Sequence, residues 1–575
     1  MGADMIRSRR WLLCLSLFVS GFASAASVAP VAADNGMVAT AQHLATEVGV
    51  DVLRSGGNAV DAAVAVGYAL AVVYPAAGNL GGGGFMTLHL ADGREVFIDF
   101  RERAPLAAHA DMFLDKDGNP DALRSTRGHL AVGVPGTVAG LELAREKYGT
   151  VARKRLVAPA IELAEKGFVL DAGDLAMFTD ATADLMKDPA SAAIFFADKR
   201  PLRVGDRVRQ KDLARSLRAI SKGGVDGFYR GKVAALLVQA SQAGGGIITA
   251  EDLLQYRAVE RAPIRCGYRG YTIVAPSPPS SGGVTLCEIL HILEGYPLAD
   301  YGWASAQAVH VEVEAMRHAY ADRNQFLGDP DFIDNPVQRL LSDEHVAEIR
   351  QRIEPEHAGK SSELAPELQR KEGSHTTHYS IADRLGNAVS VTYTLNDWFG
   401  ARVTAPGTGI VLNNEMDDFT SKPGTPNLYG LVQGEANAIA PGKRPLSSMT
   451  PTIVLRDGKP VAVLGTPGGS TIITAVLQTL LNLVDFDMDL QEAVDAPRFH
   501  HQWLPDEVAV EARALSTDTR RLLESWGYRL VGPQETNHLS AILIGGPSLD
   551  QPTQDGKRFY GANDPRRRTG LALGY

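Results

Sequence analysis

The stretch His375-Thr376-Thr377-His378-Tyr379-Ser380 begins the segment that decides how this chain reads. Apolar and polar residues alternate with the period of a strand, so Thr376 to Ala382 is expected to pair, through a turn at Arg384 to Asn387, with a returning strand Ala388 to Leu395. Just upstream, Ile353 to His375 carries Pro355, Gly359, Ser361, Ser362 and Pro366 among mixed charges and reads as a linker. A loose segment therefore meets a strand at a hydroxyl-bearing residue. By itself the Thr-x-His-x-Ser alternation signals only residues that suit a pleat, and spacing does not choose Thr376 over Thr377.

Working outward, the period changes. Before the linker, helical spacing dominates, with Ala41 to Arg54 ended by Ser55-Gly56-Gly57, an almost wholly apolar Ala59 to Val73 capped by Asn58, then Val138 to Tyr148, Leu156 to Lys166, Leu213 to Ile220, Ser305 to Arg323 and Asp343 to Arg352. A hairpin, Phe85 to Leu90 with Glu95 to Phe100, interrupts them. After the linker come a hairpin of Thr452 to Leu455 with Val461 to Leu464, a helix over Ile472 to Val484, and strands at Leu539 to Ile544 and Phe559 to Tyr560. Runs of helices and runs of hairpins predict an α+β fold of antiparallel sheets covered by helices.

The 575 residues are enough for a large core, and 45% hydrophobic with 22% charged residues excludes a disordered or polytopic membrane chain. With 57 basic against 67 acidic residues, no nucleic-acid footprint is expected, and Arg566 to Arg568 reads as a solvated segment. Arg7, Arg9 and Arg10 before the apolar run Trp11 to Ala23, and Ala23-Ser24-Ala25 after it, predict a signal peptide over residues 1–25, hence export to the periplasm or outside, without stable membrane insertion. The remaining cysteines, Cys266 and Cys287, leave a disulfide open. His500-His501 and His375-x-x-His378 lack carboxylate partners at ligand spacing, so no metal is expected. Gly81 to Gly84 lacks the Lys-Ser/Thr of a phosphate loop and enters a strand, so no nucleotide cofactor is expected either; these glycines read as a place where main chain packs closely.

Taken in order, Gly56 to Ala63, Gly78 to Phe85, Asp99 to Glu102, Gly133 to Gly136, Pro278 to Gly283, Thr376 to Tyr379, Asn413 to Phe419, Pro445 to Met449, Thr466 to Ser470 and Asp564 to Arg566 resemble the γ-glutamyltranspeptidase (glutathione hydrolase) family over essentially the whole chain after the leader. The resemblance implies a four-layer αββα sandwich of N-terminal-nucleophile hydrolase type. It implies a precursor cut between His375 and Thr376 into a large subunit, residues 26–375, and a small subunit, residues 376–575, that together form one catalytic domain. It also makes the choice of Thr376 as nucleophile. That choice has a chemical logic, because a threonine hydroxyl needs a base within reach and a freed α-amine, with a pKa of about 7.7 to 8.0, supplies one.

The family pattern further assigns Thr394 to tuning the nucleophile and the N–H groups of Gly468 and Gly469 to the oxyanion. Arg101, Ser447 and Ser448 match the side that takes a substrate α-carboxylate; Asn396, Glu415 and Asp418 match the side that takes the α-ammonium. Thr420 to Val432 resembles a lid with Tyr429 as its gate, a segment that relatives specialised as cephalosporin acylases can lack. The expected activity is γ-glutamyl transfer from glutathione and related compounds to water, an amino acid or a dipeptide, without a cofactor. Two rival expectations are a cephalosporin or glutaryl acylase of the same family and an uncleaved periplasmic binding protein for amino acids or peptides.

Overall fold

The computed structural model describes residues 27–179, 181–197, 200–364, 376–532 and 537–575. The predicted signal segment, the end of the predicted linker and His375 lie outside them. Two seven-stranded sheets stack face to face. One runs in the order Leu571–Gly574, Gly36–Thr40, Thr377–Asp383, Ala388–Thr394, Gly83–His89, Glu95–Phe100, Val259–Arg261, and every neighbour is antiparallel. The other runs Val31–Ala33, Phe559–Asn563, Ser540–Ile544, Lys459–Leu464, Thr452–Arg456, Tyr271–Ala275, Ile264–Tyr268, again antiparallel throughout. Both sheets interleave strands from either side of residue 376.

Helices cover the outer faces. His43–Arg54, Ala59–Val73, Thr137–Tyr148 and Arg153–Lys166 pack on the first sheet, and Gly282–Leu293, Ala306–Phe326 and Ile472–Val484 on the second. Ala59–Val73 is buried at every position, which is why it lacks an amphipathic stripe. Its start is fixed by a capping box in which Asn58 accepts from the Asp61 N–H and Asp61 accepts from the Asn58 N–H. Between the sheets, Met37, Ala39, Ala382, Ile453, Val463, Ile542 and Phe559 form a thin apolar layer. The result is the expected α+β sandwich of four layers.

The alternation read in the sequence fixes the faces. Tyr379 and Ile381 point into the helix-side core, whereas Ala382 joins the layer between the sheets and Ser380 donates from that same face to the Ser540 carbonyl of the opposite sheet at 2.9 Å. Thr376, His378 and Ser380 share a parity, so Thr376 begins a row on the inter-sheet face. His378 is packed there, with its ring between Thr392 and Ser380, and burial pushes its pKa down to about 3.

Several expectations need correction. The predicted linker is not loose over its first part: Ser361 is buried, its N–H donates to Asp506 at 2.8 Å, its carbonyl accepts from Trp503 Nε1 at 3.0 Å, and the Ala358 N–H donates to the Trp526 carbonyl. Polar composition was a poor guide because those backbone groups bond to distant residues. The run Arg566 to Arg568 is not simply solvated, since Arg566 is half-buried and pairs with Glu511 at 2.6 Å and Asp564 at 3.0 Å. Cys266 and Cys287, left open by the sequence, form a disulfide joining Ile264–Tyr268 to the helix Gly282–Leu293.

Candidate functional site

The hairpin register sets the centre. Thr377 pairs with Tyr393, so one step further the ladder places Thr376 opposite Thr394 at the open end of the strands. Thr394 in turn pairs with Gly83 of the glycine run. A Cβ on Gly82 would lie 2.0 Å from the Thr394 carbonyl oxygen, so this glycine lets the next strand close on the strand that carries Thr394. The Thr394 hydroxyl oxygen accepts the Asn396 N–H at 2.8 Å, and Asn79 holds the Thr394 carbonyl at 2.8 Å.

A small cleft opens at this end. Its lining includes Arg101, Thr376, Thr394, Asn396, Glu415, Asp418, Tyr429, Ser447, Ser448 and Gly469. Of the residues singled out in the sequence, Gly468 stands just behind the lining and His375 falls outside the described residues. Gly468 has φ 144° and Gly469 φ 59°, both in the left-handed region. Their loop is braced from behind: the Asn537 side-chain amide donates to the Pro467 carbonyl at 2.8 Å and to Thr471 Oγ1 at 3.0 Å, and the Thr471 hydroxyl donates to the Gly468 carbonyl at 2.7 Å.

The opposite wall is ionic. Arg101 follows directly on the strand Glu95–Phe100 and is almost fully buried. Its guanidinium pairs with Glu415 and Asp418, which occupy one turn of 3-10 helix, and lies 3.6 Å from Glu102. Burial works against the charge on Arg101, but the three carboxylates outweigh it and raise its pKa. Burial also raises the pKa of Glu415 and Asp418 against the pull of Arg101, and takes Glu102 up to about 7. The sequence comparison assigned Arg101 and the two acids to opposite ends of a substrate; here they touch one another.

The segment read as a lid packs beside the cleft, with Tyr429 in its lining. Tyr429 is buried and donates its hydroxyl to the Asn396 carbonyl at 2.6 Å, the Leu428 N–H donates to Asp417 at 2.8 Å, and Asn437 and Gln433 donate to the Asp418 carbonyl. Sequence reasoning missed Arg323, a buried arginine in the cleft lining carried by the helix Ala306–Phe326. Its signal, a charge on a strongly buried helix face, is visible only once burial is known. Among the described residues one group of metal-ligating types converges, Glu288, Asp322 and His345. His345 Nε2 sits at hydrogen-bond distance from Asp322, 2.7 Å, and 3.5 Å from Glu288, so the group ties three helices together as an ion pair away from the cleft.

Two stacked antiparallel sheets between helices, with a threonine at the edge of a central strand facing a left-handed glycine pair, define the sandwich of the N-terminal-nucleophile hydrolases. The family model for gamma-glutamyltranspeptidase matches residues 45–574, and this chain belongs to that family. It is 65% identical over 552 residues to a glutathione hydrolase proenzyme of Pseudomonas sp. (strain A14), covering 96% of each chain. It is 50% identical over 550 residues to the glutathione hydrolase proenzyme of Escherichia coli (strain K12), covering 95% of this chain and 93% of the other. Among solved structures, the cephalosporin acylase from Bacillus halodurans superposes with a TM-score of 0.83 at 27% identity, covering 97% of this chain and 98% of that one. No helix of the described residues is long and apolar enough to cross a membrane.

Proposed function

We propose that this chain is an exported γ-glutamyltransferase and glutathione hydrolase, made as a precursor and cut before Thr376. The observation that carries the reading is the buried group of Arg101 with Glu415 and Asp418 beside Ser447 and Ser448. An amino-acid end adds its carboxylate beside the guanidinium and its ammonium beside the acids, giving alternating charges with none left alone. A glutaryl group brings only a carboxylate, which sits less well against three acids. The lid pinned by Tyr429 favours the same choice.

In the precursor the Thr376 hydroxyl attacks the carbonyl of residue 375; collapse breaks the peptide C–N bond, which frees the Thr376 amine and leaves an ester, and water then hydrolyses that ester to release the hydroxyl and a carboxylate on residue 375. That amine then takes the hydroxyl proton, and the oxygen attacks the γ-carbonyl of the substrate. The oxyanion of the tetrahedral adduct faces the Gly468 and Gly469 N–H groups. Collapse breaks the amide C–N bond, and the ammonium of Thr376 returns its proton to the departing amine. Water or an acceptor amine repeats the sequence on the γ-glutamyl ester. Thr394, opposite Thr376 in the hairpin, tunes the nucleophile, Asn396 presents its side-chain oxygen to the ammonium, and no cofactor enters any step. The two fragments stay together without a covalent link because strands of both are hydrogen-bonded side by side in each sheet.

The test compares turnover of a γ-glutamyl anilide with a glutaryl anilide, alongside a denaturing gel of the protein and of Thr376→Ala. We expect two fragments, preference for the γ-glutamyl compound, and a single inactive band for the variant. A preference for glutaryl would make this an acylase. An active single chain would remove the amine-assisted mechanism.

A further inference from the structure

Arg323 is 1% exposed, lines the cleft, and forms no ion pair with any carboxylate among the described residues. It spends its donors on neutral oxygens: Nη2 to Ser448 Oγ at 2.9 Å, Nε to Ser281 Oγ at 2.9 Å and Nη1 to Asn324 Oδ1 at 2.6 Å. Ser281 passes its own proton to the Ser447 carbonyl at 2.7 Å, and its N–H reaches the same oxygen at 2.8 Å. One guanidinium therefore holds the double-serine turn at two points.

The polarity of these bonds is forced. A guanidinium can only donate, so Ser448 Oγ must accept from it, and the Ser448 hydroxyl proton turns elsewhere. Ser447 is in the same position, because its Oγ accepts the Met449 N–H at 3.1 Å. Both serines line the cleft, and each hydroxyl keeps its proton to donate. Arg101, by contrast, is already engaged by Glu415 and Asp418.

We propose that Arg323 is a positioning residue for the α-carboxylate of the γ-glutamyl group, acting through the Ser448 hydroxyl, whose proton it directs into the cleft, and through its own charge, held behind the double serine without a direct ion pair. This rests on the γ-glutamyl reading above. Burial costs Arg323 charge stability, lowering its pKa to about 10, and the fold keeps the charge there nonetheless. A carboxylate entering beside Ser448 is the group that offsets that cost.

The test is a double-mutant cycle on a γ-glutamyl anilide with Arg323→Met, Ser448→Ala and the pair, plus Arg323→Lys, each checked for subunit cleavage on a gel. Arg323→Met is expected to raise KM by about ten- to a hundredfold, the worth of a hydrogen bond to a charged group, with a much smaller change in kcat. Arg323→Lys, still charged and donor-only, should recover most of the loss. In the Ser448→Ala background the Met change should cost less than about a third of that factor. If the Met variant fails to mature, Arg323→Gln, which removes the charge but keeps a polar side chain, carries the same cycle. Multiplicative, independent costs overturn the proposal, as does a loss confined to kcat. An unmodified protein that does not turn over the γ-glutamyl anilide overturns the underlying reading, and the proposal with it.

Discussion

Tyr429, in the lining of the cleft, donates its hydroxyl to the backbone carbonyl of Asn396 at 2.6 Å, 33 residues back along the chain. The ring itself is buried, so the segment proposed as a lid is anchored by packing as well as by the phenol. Tyr429→Phe keeps the packing and removes the hydrogen bond. A net hydrogen bond is worth about 1 kcal/mol, so the closed state should lose roughly fivefold in population. We expect KM for a γ-glutamyl anilide to rise by about that factor with kcat little changed; an unaltered KM would mean that packing alone closes the lid.

Gly468 offers a sharper test. Its φ of 144° is one that side-chain-bearing residues rarely adopt, and a Cβ there would fall 2.1 Å from the Asn537 side-chain nitrogen. Gly468→Ala should displace the loop proposed to aim the oxyanion donors. The expected loss is about 10² to 10³ in kcat, as for removal of one such donor. Subunit cleavage, read on a gel, should slow in parallel because it passes through the same kind of oxyanion.

Cys266 and Cys287 lie on the same side of the proposed cut, 21 residues apart. The bridge therefore cannot join the two fragments, and a denaturing gel should show the same two bands with or without reductant. Replacing both cysteines by serine should cost about 3 to 4 kcal/mol, the closure entropy of a loop of that length. A lower melting temperature with unchanged KM is the expected signature.

Glu312, on the helix Ala306–Phe326, is buried and its pKa is pushed up to about 8, first by burial and then by Asp485. Between its ordinary value near 4.5 and about 8, the folded protein keeps a proton that the unfolded chain releases. Stability should fall as pH rises through that window and flatten above it. Glu312→Gln resembles the protonated acid, so it should match the parent near pH 4.5 and melt higher than the parent at pH 8 to 9. Equal pH profiles would show that Glu312 ionises freely.

The sequence by itself determined the local elements. Asn58 and Asp61 capped the helix Ala59–Val73 where expected, the alternation of Thr376 to Ala382 chose the faces of its strand, and the ordered motifs pointed to one family. Such signals are local, set by period, caps and turn residues within a few positions. Tertiary structure alone decided the rest. It placed Arg101 against Glu415 and Asp418, more than three hundred residues away, packed part of a linker-like segment against Trp503 and Asp506, and buried Arg323 behind Ser448. The physical reason is that the strength and polarity of a charge or hydroxyl depend on burial and on which partners converge, and neither is written in the residues adjacent to it.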